Sequence, residues 1–454
     1  MRKKILFLSD DFRMTSGVAR MSREIIEKTI HKYDWVQIAG AIEHPDNGKR
    51  IQIQSDDKFQ LPEGSSITLY PTSGYGNPDM LRQVMEIEKP DAILHFTDPR
   101  FWIWLYQMEH EIRTKIPIMY YNIWDDLPDP LYNTNYYRSC DLLLAISKQT
   151  YGINKRTLSP HGYEDWQIRY IPHGIDNKKY FKIKANNKHL IQSFEEKLGV
   201  QNYTFKILYC NRNIRRKNPG DVVLAYKDFM DSLNEKQRKE CCLIFHTAVR
   251  DDNGTDLAAV VSALCPNYNV IFTNARYSDE EMNLLYNSSD VYVNIASNEG
   301  FGLGSAEAHM TGTPSVLNVT GGLQDQCGFK KEDGTYLTAD DYSGKWGSNH
   351  NGKYREHGDW VKPVFPATIS LQGSPLTPYI FDDRVRWDDT GEAISYWYHV
   401  GPKVREKCGE KAIEFVKSKD VGQDADVMGE KFIEAFDVLF TNWKPKRRYI
   451  MEEV

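Results

Sequence analysis

Residues 297–307 read Ser297-Asn-Glu299-Gly300-Phe301-Gly302-Leu303-Gly304-Ser-Ala-Glu307, and they follow an apolar run at 290–296 that is typical of a buried strand. Three glycines in five residues predict a tight turn in which the backbone can approach a ligand closely. A helix is predicted over about 303–311, because Gly312 and Pro314 are residues that commonly end helices. The start of such a helix presents backbone N–H groups and a positive dipole end, which together favour an anion.

Two carboxylates belong to this segment. Glu299 lies in the turn and Glu307 lies about one turn inside the predicted helix, so both can reach one bound molecule. Carboxylates suit sugar and ribose hydroxyl groups, because they accept hydrogen bonds from neighbouring O–H donors. The alternative is a glycine-rich turn from strand to helix that carries two surface glutamates.

Short β-rich runs alternate with helical patterns on either side of this segment. One series starts with a strand at 4–8 and a helix at 17–30, and a second starts with a strand at 205–210 and a helix at 219–230. Strands that alternate with helices predict parallel sheets of the doubly wound type. We therefore predict an α/β protein with two Rossmann-like domains that face an interdomain cleft.

The predicted domains span 1–180 and 200–425, and the polar, charged residues 182–198 are the predicted linker. Residues 326–378 interrupt the alternation because they are rich in Gly, Asp, Asn and aromatic residues, and we predict an ordered, irregular insert there. Residues 426–454 are predicted to form a terminal helix and tail that pack back on the first domain.

Net charge, cysteine content and the length of apolar runs limit the partners and the cellular compartment that this protein can have. The 454 residues carry 57 Lys and Arg against 63 Asp and Glu, a net charge of −6, so general attraction to nucleic acid or anionic membranes is not expected. Seven cysteines without a CxxC pair favour reduced thiols. No apolar run approaches the roughly 20 residues of a membrane span, and the apolar part of the basic start is too short for a signal peptide. We expect a soluble, cytoplasmic protein with no integral membrane segment.

The order of several motifs is similar to that of one enzyme family. Glu299 and Glu307, spaced E-x7-E around Gly-Phe-Gly-Leu, resemble the signature of retaining glycosyltransferases of family 4 (glycosyl transferases group 1), which have the GT-B fold. Four further elements in the same chain order match that family: Ser16-Gly17-Val18-Ala19-Arg20, Ile171-Pro-His173-Gly-Ile-Asp176, Asn211-Arg212 to Lys217-Asn218, and Thr320-Gly321-Gly322. The large insert resembles glycosyltransferase-like proteins of viral, phage-like or environmental type.

The resemblance implies a role for each matching residue. Glu307 would bind the nucleotide ribose and Glu299 the hydroxyl groups of the donor sugar. Arg212 and Lys217 would hold the diphosphate. Further donor contacts are implied for the glycine of the first loop and for three backbone N–H groups: Gly17, Phe301, Gly302 and Leu303. Two cations and a helix N-terminus can stabilise a leaving nucleoside diphosphate without a metal ion. For Arg212 and Lys217 the alternative is a solvated basic face.

One position departs from the family pattern. Many members carry a His-Asp pair after the fifth strand, and here Trp124 takes the His place, followed by Asp125. Asp125 could orient an acceptor or donor hydroxyl, or it could cap a helix in a turn. The predicted catalytic set is therefore Glu299, Asp125, Arg212 and Lys217. No metal site is predicted, because the single D-x-D triplet, Asp424-Ala-Asp426, lies in a late segment before the terminal helix.

These observations predict a metal-independent hexosyltransferase that works with retention of configuration. The donor would be a nucleoside-diphosphate sugar, with UDP-sugar as the favoured class, and no other cofactor is expected. The acceptor would be a hydroxyl group of a glycan, a small molecule or a hydroxymethylated DNA base. The alternatives are a noncatalytic sugar- or nucleic-acid-binding GT-B protein and another GT-B enzyme, either a sugar phosphorylase or an epimerase.

Overall fold

The computed structural model of this protein describes residues 2–41, 43–55, 61–350 and 352–446. These residues divide into two compact units. Unit 1 holds the described residues within 1–124, 129–174 and 425–454, and unit 2 holds 125–128 and 175–424. The chain passes into unit 2 at Ile175, whereas the sequence pattern places that boundary at about 180.

Unit 1 is built on a mainly parallel sheet. Its strands are β1 (Lys4–Asp10), β2 (Asp34–Gly40), β3 (Ile51–Ile53), β4 (Ile67–Pro71), β5 (Ala92–Phe96), β6 (Ile118–Asn122), β7 (Leu142–Ala145) and β8 (Ile168–Tyr170). They lie in the order β3-β4-β2-β1-β5-β6-β7-β8, and only the β3–β4 pair of these described strands is antiparallel. The central strand β1 is buried from Ile5 to Asp10, because helices cover both faces of a doubly wound parallel sheet.

The helices of this part of unit 1 are α1 (Gly17–Thr29), α2 (Pro78–Glu88), α3 (Ile103–Gln107), α4 (Glu109–Ile112), α5 (Thr134–Arg138) and α6 (Lys148–Leu158). Helix α1 begins at Gly17 because the Ser16 side chain accepts a hydrogen bond from the Ala19 N–H at 3.1 Å. The strand predicted at 4–8 and the helix predicted at 17–30 are both confirmed.

Unit 2 contains a parallel sheet and a separate hairpin. The sheet strands are β9 (Phe205–Cys210), β10 (Cys241–His246), β11 (Val270–Thr273), β12 (Val291–Asn294), β13 (Ser315–Asn318) and β14 (Val361–Val364), in the order β11-β10-β9-β12-β13-β14. The hairpin pairs β15 (Thr368–Ser374) with β16 (Thr377–Arg384). With the parallel sheet of unit 1, this confirms the α/β class and the Rossmann-like architecture of both units.

The predicted irregular insert at 326–378 is more regular than the sequence suggests. It supplies β14, which extends the sheet by pairing with β13 in the register Ser315↔Val361. Pro363 argues against a strand in the sequence, because proline has no N–H to donate to a neighbouring strand. An edge strand tolerates it, since such a strand needs hydrogen bonds on one side only. The insert also contains β15 and the start of β16.

The helices of unit 2 are α7 (Lys188–Leu198), α8 (Pro219–Asp231), α9 (Glu235–Arg238), α10 (Leu257–Leu264), α11 (Asp279–Asn287), α12 (Leu303–Met310), α13 (Leu323–Gln326), α14 (Trp387–His399) and α15 (Gly401–Lys417). The prediction of a linker at 182–198 is corrected by α7, which belongs to unit 2. Only Phe194 of α7 is buried, against the ring of Tyr277 at 5.7 Å. Because α7 buries only this side chain, its sequence lacks the apolar stripe that would indicate an amphipathic helix.

The last described helix, α16 (Ala425–Asn442), belongs to unit 1 and packs on α1. The start of α16 lies close to the backbone at Gly174. A side chain at that position would prevent this contact, because a Cβ there would lie 2.5 Å from the Ala425 Cα. The Phe432 ring packs edge-on against Tyr121 at 5.0 Å, and Lys28 pairs with Asp426 at 2.7 Å. The rest of the predicted tail, 447–454, lies outside the described residues.

Candidate active site

The candidate site of unit 2 lies where the sheet changes direction. Strands β9 and β12 are neighbours, but the chain continues from β9 to β10 on one side and from β12 to β13 on the other. In open α/β sheets ligands bind beyond the carboxyl ends of strands at such a switch point. The turns that follow these strands occupy residues 211–218 and 295–302, and they contain most of the residues that the sequence analysis selects.

Backbone and side-chain hydrogen bonds hold the two turns together. The Ser297 N–H donates to the Arg216 carbonyl at 2.7 Å, and the Arg216 guanidinium donates to the Asn298 carbonyl at 2.6 Å. The Asn218 amide donates to the Ile295 carbonyl at 2.9 Å. Asn218 has a φ of +50°, a left-handed conformation that asparagine tolerates and that ends the turn before α8. The position of each turn therefore depends on the other.

A buried ion pair lies at this junction. The Lys217 ammonium contacts the Glu299 carboxylate, and Arg216 Nη1 lies 3.4 Å from the same oxygen. The Lys217 side chain is 7% exposed and that of Glu299 13%. Burial and the Arg216 guanidinium lower the pKa of Lys217, whereas the Asp125 carboxylate opposes that shift. The site thus brings together two cations and two carboxylates.

The glycine-rich turn has the conformation that its sequence predicts. Gly302 has a φ of +90°, and a Cβ there would lie 2.6 Å from the Leu323 side chain. The Gln326 amide donates to the carbonyls of Phe301 and Gly302 at 2.5 and 3.0 Å. Helix α12 starts at Leu303, as predicted, and its first N–H groups have no acceptor within the helix. The turn therefore directs backbone donors beyond the carboxyl end of β12.

The turn at Gly321 and Gly322 packs directly against the backbone of the glycine-rich turn. The Gly322 N–H donates to the Glu299 carbonyl at 2.7 Å. A Cβ on Gly322 would lie 2.0 Å from the Gly300 carbonyl oxygen, and one on Gly321 would lie 2.5 Å from the Glu299 carbonyl oxygen. The two glycines are required because the two turns pack backbone against backbone.

Glu307 is buried in α12, with only 2% of its surface exposed. Its Oε2 accepts a hydrogen bond from the Tyr286 hydroxyl at 2.6 Å. Burial raises the pKa of Tyr286, so this hydroxyl stays a donor at neutral pH. Neither Glu307 nor Glu299 is a surface glutamate, which argues against the alternative of a plain surface turn.

Arg212 and Lys217 differ in their surroundings, although both come from the turn after β9. The Arg212 side chain is 65% exposed and its Nε donates to Asp251 at 3.0 Å. Lys217 is buried beside Glu299 instead. The diphosphate role of Arg212 remains a prediction, and the structure places Arg216 rather than Arg212 beside Lys217.

Asp125 lies in the short segment 125–128, which is part of unit 2. The Asp125 carbonyl oxygen lies 3.2 Å from the position of a Cβ on Gly321, so the segment borders the supporting turn. The side chain of Asp125 shares a hydrogen bond with the buried Asp126. No helix begins at Asp125 among the described residues, so the structure does not support a capping role.

The remaining selected residues lie in unit 1. Gly17 is the first residue of α1, beside the Ser16 hydroxyl that donates to Asp10 at 2.9 Å. Burial raises the pKa of Asp10. Trp124 is 8% exposed and lies 5.2 Å from the Arg100 guanidinium, which packs over its ring. In unit 1, Trp124 is therefore a packing residue.

Sequence reasoning missed four polar residues that the structure brings to the site: Arg216, Asn298, Asp126 and Asn349. Arg216 had a signal in the sequence, since it lies in the basic run next to Lys217. The other three are ordinary loop residues, and only the packing of Asn298 and of Asn349 in the insert against the segment 125–128 distinguishes them.

Metal and membrane signals are absent from the described part of the chain. No group of three or more His, Cys, Asp or Glu side chains there could hold a metal ion. Asp424 accepts a hydrogen bond from Asn177 at 2.6 Å, and Asp426 pairs with Lys28 at 2.7 Å, so each carboxylate of the D-x-D triplet has its own partner. Likewise, none of the described helices combines the length and the apolar character that crossing a membrane requires.

Comparison with solved structures defines the class of fold. The structure of Anabaena HepE in complex with UDP and glucose superposes with a TM-score of 0.66 at 14% sequence identity, covering 96% of this chain and 100% of that one. At this identity the likeness concerns the fold alone. The fold is GT-B, in agreement with the sequence prediction.

Sequence comparison is more specific for one part of the chain. Residues 191–338 match the family model of glycosyl transferases group 1. Mannosylfructose-phosphate synthase of Agrobacterium fabrum is 24% identical over 195 residues, which are 41% of this chain and 39% of that protein. Alpha-monoglucosyldiacylglycerol synthase of Acholeplasma laidlawii is 24% identical over 189 residues, 41% and 43% of the two chains. The matches thus span about two fifths of these relatives, and they support a relation to this family.

Proposed function

We propose that this protein is a glycosyltransferase that moves a hexose from a UDP-sugar to a hydroxyl acceptor with retention of configuration. The observation that carries the proposal is the ion pair of Lys217 and Glu299 beside the start of α12, at the switch point of the unit 2 sheet. The match of residues 191–338 to glycosyl transferases group 1 covers the same residues. The GT-B neighbour with UDP and glucose supports UDP-glucose as the first donor to test.

Each residue of the site has a proposed role. Glu307, held by Tyr286, binds the ribose hydroxyls, and Glu299 binds hydroxyls of the donor sugar. Lys217 and Arg212 bind the diphosphate, and Asp125 orients a hydroxyl near the reacting carbon. Three backbone N–H groups of the glycine-rich turn complete the proposed donor contacts in unit 2, those of Phe301, Gly302 and Leu303.

The chemistry of the leaving group explains why cations matter here. Breaking the bond between sugar and phosphate leaves a nucleoside diphosphate whose negative charge grows in the transition state. Preorganised cations and a helix N-terminus stabilise that charge most strongly in a site from which water is excluded. Lys217 is buried in such a place, and Arg216 adds a second charge. We therefore propose transfer without a divalent metal ion.

The proposal is tested by a panel of UDP-, GDP-, ADP- and dTDP-glucose, with and without EDTA. We expect UDP-glucose alone to raise the melting temperature and to release glucose slowly, equally well with EDTA. The released or transferred sugar should keep the anomeric configuration of the donor in proton NMR spectra. Absence of any shift with all four donors would contradict the proposal and favour a noncatalytic GT-B protein. Interconversion of the donor would point to an epimerase, and rapid reaction with free phosphate to a phosphorylase.

Tyr286→Phe should weaken donor binding through Glu307. The change removes the hydroxyl that donates to the buried Glu307 carboxylate at 2.6 Å. Loss of a hydrogen bond to a charged group costs about 1.5–3 kcal/mol, so UDP binding is expected to weaken by about tenfold or more. Calorimetric titration with UDP measures the effect. Tyr398→Phe is the matched control, since Tyr398 donates to Glu240 at 3.2 Å away from the site. Equal UDP affinity in the two variants would refute the ribose role of Glu307.

A further inference from the structure

A second carboxyl group, Asp126, is buried next to the proposed hydroxyl-orienting Asp125. Asp126 is 5% exposed and belongs to the segment 125–128 of unit 2. Its Oδ1 accepts hydrogen bonds from the amide of Asn298 and from the amide of Asn349, the latter at 3.1 Å. Both of these donors are neutral. Burying an ionised carboxylate against neutral partners is costly, whereas burying a neutral acid is much less so.

The insert supplies Asn349, and residues outside the insert hold its side chain and backbone in place. Asn349 is fully buried, and its Oδ1 accepts from the Leu127 N–H at 2.6 Å while its amide also donates to the Phe381 carbonyl at 3.2 Å. The Gln324 amide donates to the Asn349 carbonyl at 2.6 Å. Because Oδ1 accepts a backbone N–H, the amide group must face Asp126 as a donor. The orientation of Asn349 is therefore fixed by the backbone of the segment that carries Asp126.

Asp383 of β16 binds the backbone of Asn349 and the residue before it. Asp383 Oδ2 accepts hydrogen bonds from the Ser348 hydroxyl at 2.6 Å, the Asn349 N–H at 3.1 Å and the Thr320 hydroxyl at 3.2 Å. Burial raises the pKa of Asp383 to about 6, against the opposing effect of these hydrogen bonds. Asp383 thus links the insert, through Thr320, to the turn that supports the glycine-rich turn.

The charges around Asp126 agree with a neutral acid. Burial raises the pKa of Asp126 well above its usual range and the neighbouring Asp125 raises it further, whereas the hydrogen bond from Asn298 and the Arg216 guanidinium oppose both effects. Two carboxyl groups that share a hydrogen bond hold one proton between them, because a carboxylate pair without it would repel. The charge of Asp125 in turn raises the pKa of Lys217, which pairs with Glu299. Asp126 is the more buried member of the Asp125–Asp126 pair, so the loss of water disfavours its charged form.

We propose that Asp126 is a neutral carboxylic acid, held by Asn298 and by Asn349 of the insert, which donates its proton in a hydrogen bond to Asp125. Asp126 is then a positioning residue. It holds the Asp125 side chain in one orientation within the segment 125–128. Asn349 of the insert and Asp383 of β16 are therefore part of the support of the site. This inference rests on the proposed glycosyl transfer for its kinetic consequence, but not for the position of the proton.

Two substitutions of Asp126 separate a neutral acid from a carboxylate. Asparagine reproduces a protonated Asp126, since it has one donor towards Asp125 and one acceptor towards Asn298 and Asn349. We expect Asp126→Asn to keep kcat for donor hydrolysis within about threefold of the wild type, and Asp126→Ala to lose about 30-fold or more with a nearly unchanged KM. If Asp126→Asn loses as much as Asp126→Ala, Asp126 works as an anion and the proposal is wrong.

Infrared difference spectroscopy tests the proton without any activity. At about pH 8, the wild type minus Asp126→Asn spectrum should contain the C=O band of a protonated carboxylic acid. The same difference taken with Asp383→Asn should lack that band, because Asp383 is ionised at this pH. A missing band for Asp126 overturns the inference even if the enzyme is active. A band in a protein that binds and cleaves no sugar nucleotide leaves the inference standing and rejects the proposed function.

A substitution of Asn349 tests whether the insert helps to position Asp126. Asn349→Leu keeps the approximate size of the side chain but removes both the donor to Asp126 and the acceptor for Leu127. We expect kcat to fall by about tenfold, with UDP affinity unchanged. Gln372→Ala in β15 is the matched control, because Gln372 is exposed and bonds only to Ser370 among the contacts described. An Asn349→Leu protein that folds and keeps the wild-type kcat would refute the positioning role of the insert.

Discussion

Lys217→Met is expected to lower kcat/KM for sugar transfer by about 100-fold or more and to weaken UDP-sugar binding. Lys217 lies between the turn after β9 and Glu299, and its side chain is 7% exposed. Removing it takes away a preorganised cation from the proposed diphosphate position. It also leaves the Glu299 carboxylate, 13% exposed, with Arg216 at 3.4 Å as its nearest described cation. Steady-state kinetics with UDP-glucose and calorimetric titration measure both effects.

Stability must be separated from function in this variant. Breaking a buried ion pair costs about 3–5 kcal/mol, and the lower end is expected here because Arg216 remains. The double variant Lys217→Met/Glu299→Gln removes the uncompensated charge, so it should regain most of the stability and none of the activity. Lys227→Met is the matched control, since Lys227 forms an exposed ion pair with Asp231 in α8, and it should change neither property. Wild-type kinetics for Lys217→Met would remove Lys217 from the site.

Gly322→Ala should be the most damaging single-atom addition near the site. The new Cβ would lie 2.0 Å from the Gly300 carbonyl oxygen and 2.8 Å from the Phe301 Cα. These are backbone atoms, so the glycine-rich turn itself must shift. Overpacking of this kind costs about 1–3 kcal/mol, and a displacement of about 1 Å at a reacting centre costs about 100-fold in rate. Urea unfolding and donor hydrolysis measure the two losses.

Gly220→Ala provides the comparison for this prediction. Gly220 lies in the first turn of α8, and a Cβ there would meet no atom within 4 Å. Alanine is the better helix former, so stability should stay the same or rise slightly, and activity should stay the same. If Gly322→Ala behaves like Gly220→Ala, then the contact between the two turns is dispensable. The proposed dependence of the donor site on the Gly321-Gly322 turn would then be wrong.

Local sequence signals predicted the elements that depend on local chemistry. The strand before residue 297, the glycine-rich turn and helix α12 follow from an apolar run, closely spaced glycines and the residues that end a helix. The Ser16 cap similarly places the start of α1. Such signals act within a few residues of the chain, so they can be read without knowing the packing.

Signals that depend on partners were misread. Residues 182–198 read as a linker because they are polar and charged and lack a strand pattern, whereas the structure forms α7 there with the single buried side chain Phe194. The insert reads as irregular because it is rich in Gly, Asp, Asn and aromatic residues, yet it supplies the edge strand β14. Its Pro363 is acceptable only at a sheet edge, and an edge is a property of the whole sheet. In both cases the local pattern is ambiguous, and packing against residues distant in the chain decides the structure.

The sequence by itself determined the α/β class, and its resemblance to glycosyl transferases group 1 implied the GT-B fold and selected Glu299, Glu307 and Lys217 for the candidate site. Only the tertiary structure decided that Arg216 contacts Glu299 while Arg212 pairs with Asp251. It also decided that Asp126 is buried against Asn298 and Asn349. The physical reason is that a side chain's charge state and orientation depend on which neighbours exclude water around it. Those neighbours come from segments 39 to 223 residues apart in the chain.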